Sequence, residues 1–327
     1  MVKISGAEGP IILKQHDPTT AFLKPDSYIS GATAFDANEP AGQFFYQSYQ
    51  HALYTIFTST MVASYDLTLR VEYGRPFLGF RLMVKNHIRY QLNNKHYYLM
   101  QGQLNFVSAP IVESELLLVK DERYKVFDLH IELGLIQRIK HKDQSWSDFL
   151  ANVRENQTVA FLDGPGFGSI QMMDLMEELL KNPGNESLVL QLVERVIEAR
   201  TMKREYRPIT ETQIESLFRV KDMIRKQIAG KQHLRDWARE AGMNITYFKE
   251  YFKLVFGITP YHYLMYERIR EAKKMIRHYP ELTLSEIAEA CGFSNYNNLR
   301  RAFYSMEKIT LSRWQRLSDI AGIMLVL

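Results

Sequence analysis

Between residues 54 and 133 apolar side chains recur at every second position: Tyr65, Leu67, Leu69 and Val71; Phe80, Leu82 and Val84; Ile88, Tyr90 and Leu92; Phe127, Leu129, Ile131 and Leu133. A strand turns successive side chains to opposite faces, so this period predicts half-buried β-strands. Asn93-Asn94 falls between two of these runs, where a tight hairpin turn needs positive backbone dihedrals that Asn tolerates. Several strands joined by short turns imply an antiparallel sandwich or barrel.

After the glycine cluster Asp163-Gly164-Pro165-Gly166-Phe167-Gly168 the period changes to that of a helix. Met172, Met173, Met176, Leu179 and Leu180 share one face, Asn182-Pro183-Gly184-Asn185 breaks the helix, and Leu188, Val189, Leu192, Val193, Val196 and Ile197 form a second stripe. Both stripes must be buried, either on the chain's own sheet or in a dimer interface. A charged stretch, 198–207, leads to Pro208 and marks the expected domain boundary. The next helix starts at a capping box, Thr210 with Gln213, flanked by Ile209 and Ile214 as a hydrophobic staple, and is expected to run to Gly230.

Beyond it the sequence repeats. Leu234, Ala238 and Gly242 match Leu284, Ala288 and Gly292 at an offset of 50, whereas Phe248, Phe252, Ile258, Thr259 and Tyr263 match Leu299, Phe303, Ile309, Thr310 and Trp314 at an offset of 51. One residue is therefore inserted at the turn or at the start of the following helix. Each copy reads as a helix with a small inward Ala, a turn Gly, an N-cap (Asn244; Ser294) and a second helix held by two core residues four apart. This is helix-turn-helix spacing, and the long helix between the copies, from Pro260 to a stop before Pro280, makes a rigid spacer. Two major-groove segments on one DNA face lie about 34 Å apart, so one chain could read both.

Charge supports that reading. Residues 219–316 hold 19 Lys and Arg against 10 Asp and Glu, a net +9, and the remainder carries −5, for +4 overall. A basic domain joined to one that is not is the footprint of phosphate neutralisation. At 327 residues the chain exceeds the roughly 250 to 300 at which one core stops growing, which implies two domains. The lone Cys291 can form no internal disulfide, and residues 1–10 lack the basic-then-apolar pattern of a secretory signal, so a cytoplasmic location is expected. The apolar tail, 320–327, is far shorter than the ~20 residues that span a bilayer and is read as a buried terminal segment, with no membrane role.

Over residues 210–317 the sequence resembles the AraC family of bacterial regulators. The resemblance rests on Phe252-Lys253-Leu254-Val255-Phe256-Gly257-Ile258-Thr259-Pro260 with Tyr263-Leu264, on Arg268, Arg270, Ala272 and Lys273, and on Ile287-Ala288-Glu289-Ala290-Cys291-Gly292-Phe293-Ser294. The second unit departs at its end, with Lys308 and Leu311 where the family usually carries Gly and Pro, and Leu299 where it has Phe. Helical phase leaves Thr246, Lys249, Glu250 and Lys253 exposed on the first recognition helix, and Tyr296, Asn297, Arg300 and Arg301 on the second, with Tyr304 at its edge. Arg suits guanine, Asn adenine, and Glu can accept from cytosine. The resemblance implies base-edge contacts at Thr246, Lys249, Glu250, Tyr296, Asn297, Arg300 and Arg301; Glu250, standing for a common Arg, implies a different target base.

The resemblance also implies that the β-rich part binds a small-molecule effector and dimerises. Gly102-Gln103-Leu104-Asn105-Phe106-Val107-Ser108-Ala109-Pro110 is similar to a cupin-like barrel segment. The expected fold class is therefore α+β: an N-terminal cupin-like sandwich or barrel with following helices, and an all-α C-terminal domain of two helix-turn-helix units. Residues 1–165 are expected to sense the effector, 166–207 to form a helical dimerisation and linker region, and 208–327 to bind DNA. The expected function is sequence-specific transcription regulation, with double-stranded DNA, the effector and a second copy as partners and RNA polymerase as a further candidate.

The alternative of another class is a cupin-type metal-dependent enzyme domain fused to a DNA-binding module. Such enzymes use a His-x-His pair, a nearby Glu and a later His. His51, His87, His96 and His130 are scattered instead, and Asp128, His130 and Glu132 alternate as on a solvated strand face. An alkyl-accepting repair module would need a reactive thiol, whereas Cys291 precedes a turn Gly and reads as core. No catalytic residue, metal or cofactor is expected.

Overall fold

The computed structural model describes residues 2–6, 9–16, 23, 28–73, 76–92, 95–110, 112–139, 144–162, 165–201, 209–230 and 233–316. The chain divides into two compact units, residues 1–211 with 255–257, and 212–254 with 258–327. The expected Asn93-Asn94 turn, the charged stretch up to Pro208 and the 320–327 tail lie at least partly outside the described residues.

In chain order the first unit contains β1 (Val2–Gly6), β2 (Gly9–Pro10), β3 (Lys14–His16), β4 (Thr33–Glu39), β5 (Gly42–Gln50), β6 (Tyr54–Ala63), β7 (Leu67–Tyr73), β8 (Phe77–Lys85), β9 (Ile88–Leu92), β10 (Lys95–Leu99), β11 (Gln103–Ala109), β12 (Val112–Leu118) and β13 (Arg123–Ile131). Then come α1 (Leu133–Ile136), α2 (Gln144–Arg154), β14 (Val159–Ala160), β15 (Gly166–Phe167), α3 (Ile170–Lys181) and α4 (Glu186–Thr201). The strands form two antiparallel sheets. The smaller has the order β10-β9-β12-β7-β1-β2, the larger β14-β11-β8-β13-β6-β5-β4-β3 with β15 also on β11. Both are open paths, so the architecture is a sandwich and not a closed barrel.

The larger sheet is the middle of three layers. One face packs on the smaller sheet: Phe44, Met61, Met83, Val107 and Val126 meet Ile4, Leu67, Leu69, Ile88 and Leu116 in one core. The other face, with Ile56, Phe80, Leu82, Phe106, Phe127 and Leu129, is covered by α2, α3 and α4. On that side Trp146 and Phe149 of α2 stack at 5.6 Å and meet Phe106 edge-on at 6.0 and 5.5 Å. The helix stripes are spent here too. Met172, Met176, Leu179, Leu180, Val189, Leu192, Val193, Val196 and Ile197 are buried in the core they share with the sheet. A dimer through α3 and α4 would have to use their remaining, more polar faces.

Being covered on both sides changes how one strand must be understood. Asp128 and His130, expected on a solvated face, are only 6% and 7% exposed because the smaller sheet lies over them. Burying a carboxylate requires a partner, and Arg81 supplies it with two parallel hydrogen bonds, Nε to Oδ1 at 2.8 Å and Nη2 to Oδ2 at 3.1 Å. The His130 ring packs between Phe57 and Phe77, with centroids at 4.7 and 4.4 Å.

The second unit is all helical: α5 (Glu211–Lys226), α6 (Leu234–Glu240), α7 (Ile245–Phe256), α8 (Pro260–His278), α9 (Leu284–Ala290) and α10 (Tyr296–Glu307). Residues 311–316 are helical as well. Helix α5 ends four residues before Gly230. The Gln227 amide is shared between the Met223 and Ile224 carbonyls, and Arg268 Nε takes the Ile228 carbonyl at 2.8 Å, so the chain turns where continued helix was expected.

Candidate nucleic-acid interface

The two halves of the second unit are built by the same local bonds. In the first turn Ala241 N donates to Trp237 O, Gly242 N to Arg239 O and Met243 N to Ala238 O; in the second, Cys291 N donates to Ile287 O, Gly292 N to Glu289 O and Phe293 N to Ala288 O. Each donor and acceptor is displaced by 50 residues. This closure needs a left-handed residue, and Gly242 (φ 65°) and Gly292 (φ 80°) provide it. Gly292 is required twice over, since a Cβ there would stand 2.6 Å from the Ile228 carbonyl oxygen.

The extra residue of the second copy is Ser294, and it lies in the turn. Asn244 caps α7 by accepting from Tyr247 N at 2.9 Å, but the cap of α10 is Asn295, which accepts from Asn298 N at 3.0 Å. Ser294, expected as that cap, instead accepts from Asn298 Nδ2.

Each second helix is pinned by matching aromatic contacts. Phe248 and Phe252 are fully buried in α7, and Phe252 meets Tyr263 at 5.8 Å; Leu299 and Phe303 are fully buried in α10, and Phe303 meets Trp314 at 5.7 Å. Helix α8 starts as its sequence requires, with Thr259 Oγ1 accepting from His262 N and Pro260 at the first helical position. Its 19 residues span about 28 Å. It is tied into the unit by buried chemistry. Glu267 is 5% exposed and 2.7 Å from Arg270 Nη2; burial and the Glu267 charge hold the Tyr263 hydroxyl far above its usual pKa. Farther along, Lys273 pairs with Glu307 of α10 at 2.6 Å.

The second helix-turn-helix copy closes with the same geometry as the first despite its different residues. Lys308, 51 residues after Gly257, has φ 57° against 71° there, and its amide donates to Tyr304 O as a left-handed C-cap. Thr310 Oγ1 then accepts from Arg313 N, and Leu311, in the place of Pro260, is 1% exposed. The turn is kept, with a strained non-glycine residue in it. Lys308→Gly should raise stability by about 0.5–1 kcal/mol. Urea unfolding checks this, and an unchanged or lower midpoint would contradict it.

Thr246, Lys249, Glu250 and Lys253 are exposed on α7, as are Asn297, Arg300, Arg301 and Tyr304 on α10. Tyr296 is half-buried against the core of its own unit. Two features escaped the sequence reading. Arg301 Nη2 donates to Asn298 Oδ1 at 2.9 Å, and Asn298 in turn holds Ser294, so the guanidinium is oriented from within its own helix. The signal available was the spacing of Asn298 and Arg301 three apart on one face of α10, with Ser294 four residues before Asn298 in the turn. In the first copy an open cleft of about 710 Å³ is lined by Arg235 and Arg239 of α6 and by Asn244, Ile245, Thr246 and Tyr247. Both arginines are exposed one turn apart.

Other chemistry in the unit is structural. The Cys291 thiol is fully buried, 3.8 Å from the Met275 sulfur, and burial pushes its pKa up to about 12. Glu286 closes a capping box with Thr283, whose amide and hydroxyl donate to it at 2.7 Å and hold its carboxyl below the usual range. Among the described residues no group of three or more His, Cys, Asp and Glu is placed to hold a metal ion, and no helix is long and apolar enough to cross a membrane.

Residues 237–317 match the family described as helix-turn-helix domain. A probable transcriptional regulator, LumQ, from Photobacterium leiognathi is 26% identical over 147 residues, which is 44% of this chain; the chain spans 58% of that relative's length. Among solved structures, the DNA-binding domain of the global transcriptional factor AdpA in complex with a target DNA is 19% identical, covering 32% of this chain and 95% of that one, with a TM-score of 0.30. Wild-type ToxT from Vibrio cholerae with a bound unsaturated fatty acid is 12% identical, covering 82% and 96%, with a TM-score of 0.32. These two structural likenesses are too slight to bear on ligand or mechanism.

Proposed function

We propose that this chain, whose C-terminal unit is a paired helix-turn-helix domain of the AraC type, is a transcription regulator that reads two successive major-groove segments of duplex DNA under the control of a small molecule bound in the N-terminal sandwich. The observation that carries the proposal is the bond-for-bond repetition of the two turns, each presenting an exposed helix face that bears Lys, Arg or Asn. A spacer helix of about 28 Å is of the order of the roughly 34 Å that separates successive major grooves on one DNA face. Arg300, Arg301 and Asn297 of α10, with Tyr296 and Tyr304 at its margins, read one half of the site. Thr246, Lys249 and Glu250 of α7 read the other, with Lys253 on the backbone. Arg235 and Arg239 add phosphate contacts that position without specifying. The sandwich unit supplies the interior for an effector, and a second copy and RNA polymerase are the further partners such a regulator would engage.

The reading is tested by titrating the full chain with a DNA duplex at several salt concentrations. Each phosphate neutralised releases counterions, so with six or more contacts affinity should fall by about 10³-fold or more between 50 and 200 mM salt. Affinity unchanged over that range would overturn the proposal.

A further inference from the structure

The buried polar groups between the two sheets are not all spoken for. On the inner face of the larger sheet Asn105, Arg81 and Asp128 stand side by side on β11, β8 and β13. Arg81 and Asp128 are joined by two hydrogen bonds and neutralise each other's charge. Asn105 is only 1% exposed, and neither its Oδ1 nor its Nδ2 has a hydrogen-bond partner. From the opposite wall Ser114 of β12 points into the same interior, in register with Val71 and on the side of Leu116 and Leu118; it is 5% exposed and its hydroxyl is likewise unpartnered. Buried polar atoms are nearly always paired, and an unpaired amide in a core is a cost that an apolar residue of the same shape would avoid. Such a cost persists where the group serves a ligand.

We propose that this interior is the effector compartment and that it takes a small uncharged molecule bearing an amide, which Asn105 holds by one donated and one accepted hydrogen bond and Ser114 holds from the facing sheet. The cancelled Arg81–Asp128 pair offers no net charge to attract an ion, and the Phe57, Phe77 and His130 rings give the compartment flat apolar surface. The inference rests on the reading of the sandwich as an effector domain and adds the ligand's chemical class and its two anchors.

The test is calorimetric titration of the full chain with δ-valerolactam, with valerate and toluene as charged and apolar controls. The lactam should bind and the controls should not. Asn105→Leu should weaken it about tenfold per hydrogen bond lost, and Ser114→Ala, which removes a single oxygen and leaves the fold in place, about tenfold. Without ligand, Asn105→Leu should melt at a higher temperature than the parent. Absence of lactam binding, equal binding by both variants, or a lower melting temperature of Asn105→Leu, the sign of an amide satisfied by buried water, would each overturn the inference. DNA affinity measured in parallel separates the two claims. Lactam binding that leaves DNA affinity unchanged supports the compartment and contradicts its regulatory role, whereas intact DNA binding without lactam binding removes only the compartment.

Discussion

Leu192→Asp should unfold the N-terminal unit or destabilise it by more than about 4 kcal/mol. Leu192 is 1% exposed and lies in the core shared by α4, α3 and the outer face of the larger sheet, beside Val189, Val193 and Val196. The substitution removes a buried aliphatic group, worth about 2–5 kcal/mol on truncation alone, and adds a carboxylate with no partner. Urea unfolding of the full chain followed by tryptophan fluorescence reads the effect, because Trp146 belongs to the same core. A variant that stays folded and merely changes from dimer to monomer in sedimentation would place this stripe in an interface between copies.

The second large effect is expected at Glu267. Its carboxylate accepts from the buried Tyr263 hydroxyl and from Arg270, within the helix that separates the two turns. Glu267→Ala breaks a buried ion pair from one side and should cost the C-terminal unit about 3–5 kcal/mol. Glu267→Gln, which keeps an acceptor for Tyr263, should cost less. Both are measured as shifts in the urea midpoint with DNA affinity followed in the folded baseline. A loss under about 1 kcal/mol for the alanine variant would mean that the network is incidental to stability.

How far the sequence could be read depended on how local the determinants are. The helix-turn-helix units were legible because their caps, turn glycines and core residues act over a few positions, and because the repeat states the pattern twice. Two expectations fail there: Asn295 and not Ser294 is the cap, because two capping residue types stand side by side, and Tyr296, expected on the exposed face, is half-buried because the first residue of α10 packs against the core of its own unit. In the sandwich, β4 and β5 were missed. Strand β5 carries Phe44 and Phe45 in succession, one for each face of a sheet covered on both sides, so no alternation marks it. Asp128 and His130 misled in the opposite way. Their alternation with Phe127 and Leu129 is that of a solvated face, and only the pairing of β13 with β8 brings Arg81, 47 residues away in sequence, to Asp128 and offsets the cost of burial. Whether the helix stripes would cover this sheet or another copy was equally a matter of distant residues, Phe106 and Trp146 among them.

The central claim is that two recognition helices read two halves of one DNA site independently, and selection from a randomised duplex library tests it most directly. Arg301, oriented by Asn298 on the exposed face of α10, should make a two-bond contact to a base edge, so Arg301→Ala should cost about 1–3 kcal/mol on the preferred sequence and relax one or two positions in a single half. Glu250→Ala on α7 should broaden the other half, about one helical turn away, since an acid near phosphates contributes selectivity rather than affinity. Two separated, non-overlapping changes in the selected motif are the predicted result. A motif left unaltered by both variants, or altered by both in the same half, would contradict the account even if the chain still bound DNA.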